Sequence, residues 1–479
     1  MRVFTDKSDY RRSKSMEKNV EYKGEVLSLG SEGEGVINYG GVTCFVPFCL
    51  QGERVSFRAQ KVGGGVAYGR LTEVETLSPE RVMPVCPVFE RCGGCQLQHA
   101  SYRAQLEFKR QKVKNCLKKL AAIDCEMGDT VPSGEVYGYR NKLAIPVGEN
   151  ADGKTVIGFY APRSHRIVGT ASCALQRDWS AKLIAALSRY MTENGLRGYN
   201  EISKKGDIRH LVAREVEKKL IITVVAARRI NLNPLAEILE KELKDFTLLS
   251  NVNTSSGNAV FGKEWHICRG EGYFMGEDDG IKFKAGANTF LQVNDGVRKK
   301  LYAAVCAEVG GEDTAALDLY SGGGMLTAML AKRCRAAYGV EVVEEAVDCA
   351  NQLRELNCLQ DKMFNICGTV EENIGKVFAL TEGMRRVIVC DPPRKGMERS
   401  VVKAILACEA DKLVLVSCNP ATLARDLGLL CGTLTERDGQ LIKNPDPPTA
   451  SHFSISSITP FDMFPQTHHV ETLVLLQRK

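Results

Sequence analysis

The chain has no long uninterrupted apolar run. A membrane-spanning helix needs about 20 such residues, and charged or polar residues interrupt this sequence too often to provide them. The N-terminal sequence MRVFTDKSDYRRSKSMEK also lacks the apolar segment of a signal peptide. We therefore expect a cytoplasmic protein without a membrane partner, and nothing in the sequence indicates an obligate protein partner.

Strong charge and paired zinc motifs are missing as well. A net charge of +6 permits a nucleic-acid partner without arguing for one. The 18 cysteines are expected to be reduced in the cytoplasm. Their clustering therefore indicates metal binding or catalysis rather than disulfides.

Composition divides the chain into four regions. Residues 1–18 are polar and basic and predict a loose tail. Residues 19–76 contain short alternating runs broken by glycines, which predict a small five-stranded β-barrel. Residues 77–275 mix strands and helices beyond a cysteine-rich stretch, and residues 276–479 alternate strand and helix, as α/β domains do.

The cysteine-rich stretch PVCPVFERCGGCQLQ predicts a metal site. Cys86, Cys92 and Cys95 follow the spacing Cys-x5-Cys-x2-Cys, and Gly93 and Gly94 allow the backbone to turn tightly between the last two. Zinc would accept such ligands, but structural zinc sites typically use two Cys-x2-Cys pairs and this stretch has one. We therefore favour a 4Fe-4S cluster.

Spacing alone does not identify the fourth ligand. Cys173, in VGTASCALQ, competes with Cys116 and Cys125. Cys116 lies in the basic amphipathic stretch LEFKRQKVKNCLKKLAAI, where burial as a small apolar residue explains it better. Cys173 is therefore our candidate.

Basic and aromatic residues alternate along the candidate strands of the central region, which include YRNKLAIPV, DIRHLVAREV and GNAVFG. Together they predict a face that binds RNA by phosphate contact and stacking, although individually most would be ordinary solvated charges. The residues are Arg140, Lys142, Arg163, His165, Arg166, Arg209 and His210, beside Tyr139, Phe159 and Tyr160.

The last region predicts a nucleotide site at the edge of a parallel sheet. AALDLY reads as a buried strand and SGGGM as a glycine turn, and Glu341 follows about 20 residues later, where a carboxylate binds ribose hydroxyls. The strand RRVIVC ends in DPPRKG, which places Asp391 at the same edge. Both a dinucleotide and S-adenosylmethionine would satisfy this arrangement.

Cys418 is a candidate nucleophile. The apolar run LVLV predicts a buried strand, and Asn419 and Pro420 predict the cap and first turn of a helix. A thiol between the two would face a helix N-terminus, which favours its thiolate. The alternative is a buried structural cysteine.

Several motifs together resemble the RNA (uracil-5-)-methyltransferases, which form 5-methyluridine in tRNA or 23S rRNA. The motifs are FLQVN, DLYSGGG, DPPRKG, VSCNPATLARD and DMFPQTHHVETLVLL. The EGEGV, CFVP and GERV segments also resemble a TRAM module, an OB-like RNA-binding barrel. The resemblance implies a Rossmann-like class I methyltransferase domain at residues 276–479, a TRAM β-barrel at residues 19–76, and a mixed α+β central domain carrying the cluster at residues 77–275.

The resemblance also implies roles for individual residues. Cys418 would add to uracil C6, and Glu471 would be the base that removes the C5 proton. Arg394 and Arg425 would hold the backbone of the target nucleotide. The donor contacts are Gln292, Tyr320, Glu341 and Asp391, and the cluster ligands are Cys86, Cys92, Cys95 and Cys173.

Two other functions share parts of this pattern. An amino-group methyltransferase also uses a DPP-type motif, but it needs no cysteine nucleophile. An RNA-binding protein with the same fold and no catalysis would not need Cys418, Asp391 and Glu471 together. Within the family, the cysteine stretch favours 23S rRNA over tRNA as the substrate.

Overall fold

The computed structural model describes residues 16–150, 152–446 and 452–479. Most of the predicted tail, residues 1–18, therefore lies outside the described residues. The chain divides into two compact units, the first reaching to Phe108 and including Gln466–His468, the second comprising Lys109–Pro465 and His469–Lys479. No helix in the described ranges is long and apolar enough to cross a membrane.

The first unit contains a six-stranded sheet in the order β1-β5-β6-β4-β3-β2. Apolar and polar residues alternate along its strands, and apolar side chains such as those of Ile37, Cys44 and Phe57 pack in one small core. Five strands were expected, and the additional one, β2, has only two residues, too few for an alternating pattern. The strands are β1 (Glu21–Glu25), β2 (Ser28–Leu29), β3 (Gly35–Tyr39), β4 (Val42–Val46), β5 (Arg54–Gly63) and β6 (Val66–Thr76).

The second unit begins with part of the long helix α1 (Tyr102–Ala121) and a seven-stranded sheet in the order β13-β12-β11-β10-β7-β8-β9. Its strands are β7 (Lys142–Glu149), β8 (Thr155–Tyr160), β9 (Ile167–Gly169), β10 (Ile208–Val216), β11 (Lys219–Ala226), β12 (Phe246–Val252) and β13 (Glu264–Arg269). The helices α2 (Trp179–Glu193) and α3 (Asn233–Glu242) supply buried residues to the same core.

One strand predicted for this region is wrong. GNAVFG, residues 257–262, forms a loop between β12 and β13. The side chain of Asn253 donates to the carbonyl oxygens of Ala259 and Val260 at 2.7 and 3.0 Å. A side chain therefore occupies the acceptors that a neighbouring strand would have used.

A hairpin and a helix lead into the last sheet. The hairpin pairs β14 (Tyr273–Asp278) with β15 (Ile281–Gly286), and α4 (Asp295–Ala307) follows it. The side-chain oxygen of Asn294 caps α4 by accepting from the Val297 N–H at 3.2 Å. Residues 287–294, which include Gln292, therefore form a fixed connection into that helix.

The last sheet has seven strands in the order β18-β17-β16-β19-β20-β24-β23. Its strands are β16 (Gly311–Leu319), β17 (Cys334–Glu341), β18 (Met363–Cys367), β19 (Arg385–Cys390), β20 (Lys412–Ser417), β23 (Phe453–Phe461) and β24 (Glu471–Arg478), with the separate hairpin β21 (Leu434–Arg437) and β22 (Gln440–Lys443). The connecting helices are α5 (Met325–Ala331), α6 (Glu344–Leu356), α7 (Val370–Leu380), α8 (Arg399–Ala407) and α9 (Pro420–Leu430).

This sheet is covered on both faces, as the predicted Rossmann-like domain requires. Leu317 and Leu319 of β16 join the core formed with α7, α8 and α9, whereas Ala316 joins the core formed with α4, α5 and α6. The first five strands in this order, β18, β17, β16, β19 and β20, are parallel to one another. Strands β24 and β23 are antiparallel to their neighbours. The doubly wound α/β fold is confirmed.

Candidate active site

Four of the predicted site residues lie at one edge of the last sheet. Tyr320 follows β16, Glu341 ends β17, Asp391 follows β19 and Cys418 follows β20. The carboxyl ends of parallel strands meet at the same edge. The connection after β16 leads to β17 and the one after β19 leads to β20, so these two neighbouring strands send the chain in opposite directions along the sheet. A crevice opens at such a point, and ligands bind there in open α/β sheets.

Glu471 reaches the same edge from the opposite direction. It is the first residue of β24, which runs antiparallel to β20, and the next residue, Thr472, pairs with Ser417. Continuing that register by one residue places Glu471 beside Cys418. An antiparallel strand therefore brings its amino end to the edge where the parallel strands bring their carboxyl ends.

The glycine turn holds the Glu341 carboxylate. The Gly322 N–H donates to one carboxylate oxygen at 3.0 Å, and the Val342 and Val343 N–H groups donate to the other at 2.9 Å each. Gly324 has a φ of 80°, and a Cβ added there would lie 2.7 Å from the Cβ of Ala350. The turn therefore packs its backbone closely against α6, and only glycine fits at position 324 without strain.

Tyr320 carries a feature that fits a bound ligand. Its backbone has a φ of 66°, which is unusual outside glycine and is frequent at functional sites. Its hydroxyl is buried, with the backbone of Glu398 as a hydrogen-bond partner. Burial raises the pKa of this hydroxyl, so it stays neutral and can donate.

The predicted cap beside Cys418 is confirmed. The side-chain oxygen of Asn419 accepts from the Ala421 N–H at 3.1 Å, and Pro420 opens α9. The predicted depression of the thiol pKa is wrong. Burial raises the pKa of Cys418 to about 11, the charges of Glu471 and Asp391 raise it further, and Arg394 opposes them. The loss of hydration raises the pKa of the thiol more than the helix N-terminus lowers it.

Glu471 is buried, with 4% of its surface exposed. Burial raises the pKa of its carboxyl to about 8; Asp391 acts in the same direction and Arg394 against it. Such a carboxylate is a stronger base than an exposed glutamate once it has ionised. Because Arg394 lowers the pKa of both Glu471 and Cys418, its guanidinium is the positive charge that faces this pair.

The carboxyl of Asp391 is surrounded by protein, and burial raises its pKa to about 6. Behind it lies Asp318, which accepts from the Thr327 hydroxyl at 2.6 Å and has a pKa raised to about 7, mainly by burial. Sequence reasoning missed Asp318, although its position two residues before Tyr320 in β16 was a usable signal.

The DPPRKG loop is fixed against α9. The carbonyl oxygen of Arg394 accepts from the side chains of Asn419 and Thr422 at 3.1 and 3.3 Å. The Asp426 carboxylate accepts from the Met397 N–H at 3.0 Å. These contacts set the backbone that carries Asp391 and Arg394 beside Cys418.

Arg425 has a different role from the one expected. It donates to the Met397 carbonyl at 2.7 Å and to the Asp426 carboxylate at 2.6 Å. Its guanidinium is thus engaged in holding the DPPRKG loop. Arg394, by contrast, is exposed and remains the candidate for a contact with the nucleotide backbone.

Gln292 lies in the connection before α4. The Asn141 side chain donates to its carbonyl oxygen at 3.0 Å, and Arg214 donates to the preceding Leu291 carbonyl at 3.4 Å. Arg214 is 2% exposed, and burial lowers its pKa to about 10. These two residues, absent from the sequence prediction, hold the segment that carries Gln292.

The cysteine stretch contains neither helix nor strand. Cys86, Cys92 and Cys95 belong to the first unit and Cys173 to the second. The Gly94 N–H donates to the Cys92 sulfur at 3.4 Å, a contact that also suits a metal-bound thiolate. Within the described ranges, no three His, Cys, Asp or Glu side chains form a metal-binding group. The cluster stays a prediction.

The predicted RNA face of the central region is only partly exposed. Arg163, His165 and Arg166 are exposed. Arg209 is 3% exposed and donates to the Asn253 and Ser255 carbonyls at 2.9 and 2.7 Å. Burial lowers the pKa of His210 to about 4. Arg209 and His210 therefore belong to the interior.

Residues 148–155, GENADGKT, match the spacing of a phosphate-binding loop. A phosphate loop links a strand to a helix whose N-terminus faces the phosphates. Here the segment joins the antiparallel strands β7 and β8. The pattern therefore does not form a phosphate loop.

Comparisons with known proteins identify chains that are similar over most of this one. A family model described as tRNA (uracil-5-)-methyltransferase matches residues 101–479. An uncharacterized RNA methyltransferase of Halalkalibacterium halodurans is 36% identical over 95% of this chain and 96% of its own. One of Clostridium acetobutylicum is 34% identical over 97% of this chain and 98% of its own.

A solved structure is also similar over nearly the whole chain. It is the tRNA (uracil-54, C5)-methyltransferase of Pyrococcus abyssi in complex with S-adenosyl-L-homocysteine. The two share 26% identity with a TM-score of 0.73, over 95% of this chain and 99% of the other.

Proposed function

The chain belongs to the tRNA (uracil-5-)-methyltransferase family, and from that premise we propose that it methylates C5 of a uracil in RNA, giving 5-methyluridine. The observation that carries the proposal is the pairing of Ser417 with Thr472, which sets Cys418 and Glu471 side by side. A nucleophile and a base next to each other are what this substitution needs.

Cys418 provides the activation. Uracil C5 is a poor nucleophile, but addition of the Cys418 sulfur to C6 moves the C5–C6 electrons into an enolate and makes C5 nucleophilic. The thiol proton leaves to solvent as the sulfur–carbon bond forms. Arg394 opposes the two carboxylates and so stabilises negative charge on the sulfur.

Glu471 completes the reaction. Once C5 carries the methyl group, it still holds its original proton. The Glu471 carboxylate accepts that proton, the electrons re-form the C5–C6 double bond, and the Cys418 thiolate is expelled. The raised pKa of Glu471 suits this step because it makes the carboxylate a stronger base.

The methyl donor would be S-adenosylmethionine, which supplies an electrophilic methyl group. Glu341, held at the glycine turn, would accept hydrogen bonds from the ribose hydroxyls. Tyr320 and the carboxyl of Asp391 would complete the donor site with Gln292. The similar Pyrococcus abyssi enzyme, bound to S-adenosyl-L-homocysteine, supports S-adenosylmethionine as the donor.

We favour 23S rRNA as the substrate because of the cysteine stretch. The alternative is tRNA, which the name of the Pyrococcus abyssi enzyme favours. Mass-spectrometric mapping of 5-methyluridine in rRNA and tRNA, from cells with and without this protein, distinguishes the two. Loss of the modification from 23S rRNA alone is the expected result, and loss from tRNA alone would replace it.

The cysteine stretch would hold a 4Fe-4S cluster on Cys86, Cys92, Cys95 and Cys173. A folding role suits it, because the N–H groups of Gln96 and Leu97, directly after Cys95, donate to the Gln466 carbonyl at 3.1 and 3.0 Å. Iron and sulfide analysis of anaerobically purified protein tests the cluster. Both should be present and should be lost in Cys92→Ser; zinc instead would refute it.

The covalent step has a direct test. RNA bearing 5-fluorouridine has no C5 proton to lose, so the enzyme should remain attached through Cys418. Peptide mass spectrometry of the complex should locate the bond at that residue. Failure to form an adduct with either 23S rRNA or tRNA would remove the basis of the proposal.

A further inference from the structure

A buried ion pair lies on the connection that leads to Glu471. Lys109 of α1 donates to the Asp462 carboxylate, and both side chains have 0% exposure. Asp462 directly follows β23, whose last residue, Phe461, pairs with Glu471. The ion pair therefore lies where the chain leaves β23 and turns toward Glu471, the candidate base.

We call residues 462–465 the strap, and three side chains from outside it hold its backbone carbonyls. Lys109 donates to the Phe464 carbonyl at 2.9 Å. Asn294 donates to the Met463 carbonyl at 3.3 Å, and the Tyr139 hydroxyl donates to the Pro465 carbonyl at 3.1 Å. An irregular buried segment needs such partners, since its polar groups lack a strand or helix to satisfy them.

Lys109 has the central role among the three. Burial lowers the pKa of Lys109, whereas the charge of Asp462 and its hydrogen bond to Lys109 oppose this lowering. The second carboxylate oxygen of Asp462 is buried with no hydrogen-bond partner among the described residues. The Asp462 carboxylate thus depends on Lys109 for its hydrogen bond. Lys109 contacts the strap at two points, the Asp462 carboxylate and the Phe464 carbonyl.

We propose that Lys109, through its ion pair with Asp462, is a positioning residue for Glu471. It would act on removal of the C5 proton and leave addition of Cys418 and formation of the carbon–methyl bond largely unchanged. The proposal rests on the proposed function, in which Glu471 accepts that proton. A carboxylate displaced by about 1 Å loses much of its efficiency, whereas Cys418, on β20 and α9, keeps its own support.

The test separates methyl transfer from proton removal. Unmodified transcripts of 23S rRNA and of tRNA carry tritium at uridine C5 and are mixed in separate reactions with a donor carrying a ¹⁴C-methyl group. The wild type should release tritium in step with ¹⁴C bound to RNA. A variant with a misplaced base should bind ¹⁴C, retain tritium and accumulate a covalent protein–RNA complex on denaturing gels.

The variant is Lys109→Met with Asp462→Leu, because replacing a buried ion pair by apolar residues avoids an unpaired buried charge and tends to preserve the fold. Measured in a single turnover, its tritium release should slow by at least about tenfold while ¹⁴C transfer stays within about threefold of the wild type. Tyr139→Phe removes one strap contact with minimal change of shape and should show a weaker form of the same effect.

Two controls make the result decisive. Arg209→Met also removes a buried cation that donates to loop carbonyls, but these belong to the 253–255 loop. This variant should leave the ratio of tritium release to ¹⁴C transfer unchanged. Glu471→Gln should retain tritium strongly. If Glu471→Gln retains tritium, two results for the Lys109 and Asp462 variant would show that positioning by Lys109 is wrong. One is normal tritium release, and the other is an equal decrease in tritium release and in ¹⁴C transfer. If Glu471→Gln itself releases tritium normally, the proposed function fails with it.

Discussion

Glu471→Gln should make the protein more stable at alkaline pH and leave its stability at pH 5 nearly unchanged. Burial raises the pKa of Glu471 from its ordinary value of 4.5 to about 8. Between these two values the unfolded chain loses the proton and the folded protein keeps it, so stability falls as pH rises and levels off above the higher value. Glutamine stays neutral and escapes this loss.

The magnitude follows from the two pKa values. At about 1.4 kcal/mol for each pH unit, the difference between 4.5 and about 8 gives an upper limit of about 5 kcal/mol at pH 8 or above. At pH 5 the same relation gives less than about 1 kcal/mol. The predicted gain is therefore a slope against pH rather than a constant offset.

Tryptophan fluorescence in urea is a suitable assay. The chain has two tryptophans, Trp179 and Trp265, and both belong to the second unit together with Glu471. Asp124→Asn is a matched control, because Lys118 lowers the pKa of that exposed carboxyl and its removal should give no alkaline gain. Equal stability of Glu471→Gln and wild type at pH 5 and pH 8.5 would refute the reasoning, since it would mean that Glu471 is ionised in the fold at little cost.

Three further changes test the rest of the site. Cys418→Ala should abolish methylation and the 5-fluorouridine adduct while calorimetry still detects donor binding. Glu341→Gln should weaken donor binding by about tenfold, because it removes one charged acceptor from the ribose hydroxyls; unchanged affinity would exclude that role. Gly324→Ala should destabilise the second unit by about 2 kcal/mol or more, because alanine is strained at a φ of 80° and its Cβ would meet Ala350; thermal unfolding measures this.

The sequence predicted the parts of the site that depend on strand ends. Buried apolar runs identify parallel strands, and the residue after each run must lie at the carboxyl edge. Tyr320, Glu341, Asp391 and Cys418 could be placed for this reason. The cap at Asn419 could be predicted too, because an asparagine followed by proline is a local signal.

The sequence could not predict partners that are far apart along the chain. Lys109 reads as one cation among many on a basic helix, and only the fold brings it to Asp462. The same holds for Arg214 and for Arg209, which local composition assigned to RNA and the fold assigns to backbone carbonyls. The resemblance assigned Arg425 to the target nucleotide, and the fold engages it with the Met397 carbonyl and the Asp426 carboxylate. The prediction of a low pKa for Cys418 failed for a related reason. Burial depends on what packs around the thiol, whereas the helix terminus can be identified from the sequence.

The two high pKa values are compatible with catalysis because the reaction uses the two groups in turn. In the resting site, the pKa of Cys418 is about 11 and that of Glu471 about 8, and an ionised Glu471 raises the pKa of the thiol. The site therefore disfavours two negative charges at once, with Arg394 as the opposing cation. In the proposed reaction, addition to C6 converts the sulfur into a neutral thioether before the base is needed. The thioether carries no charge that would oppose ionisation of Glu471, so the covalent bond is compatible with the carboxylate that must accept the proton.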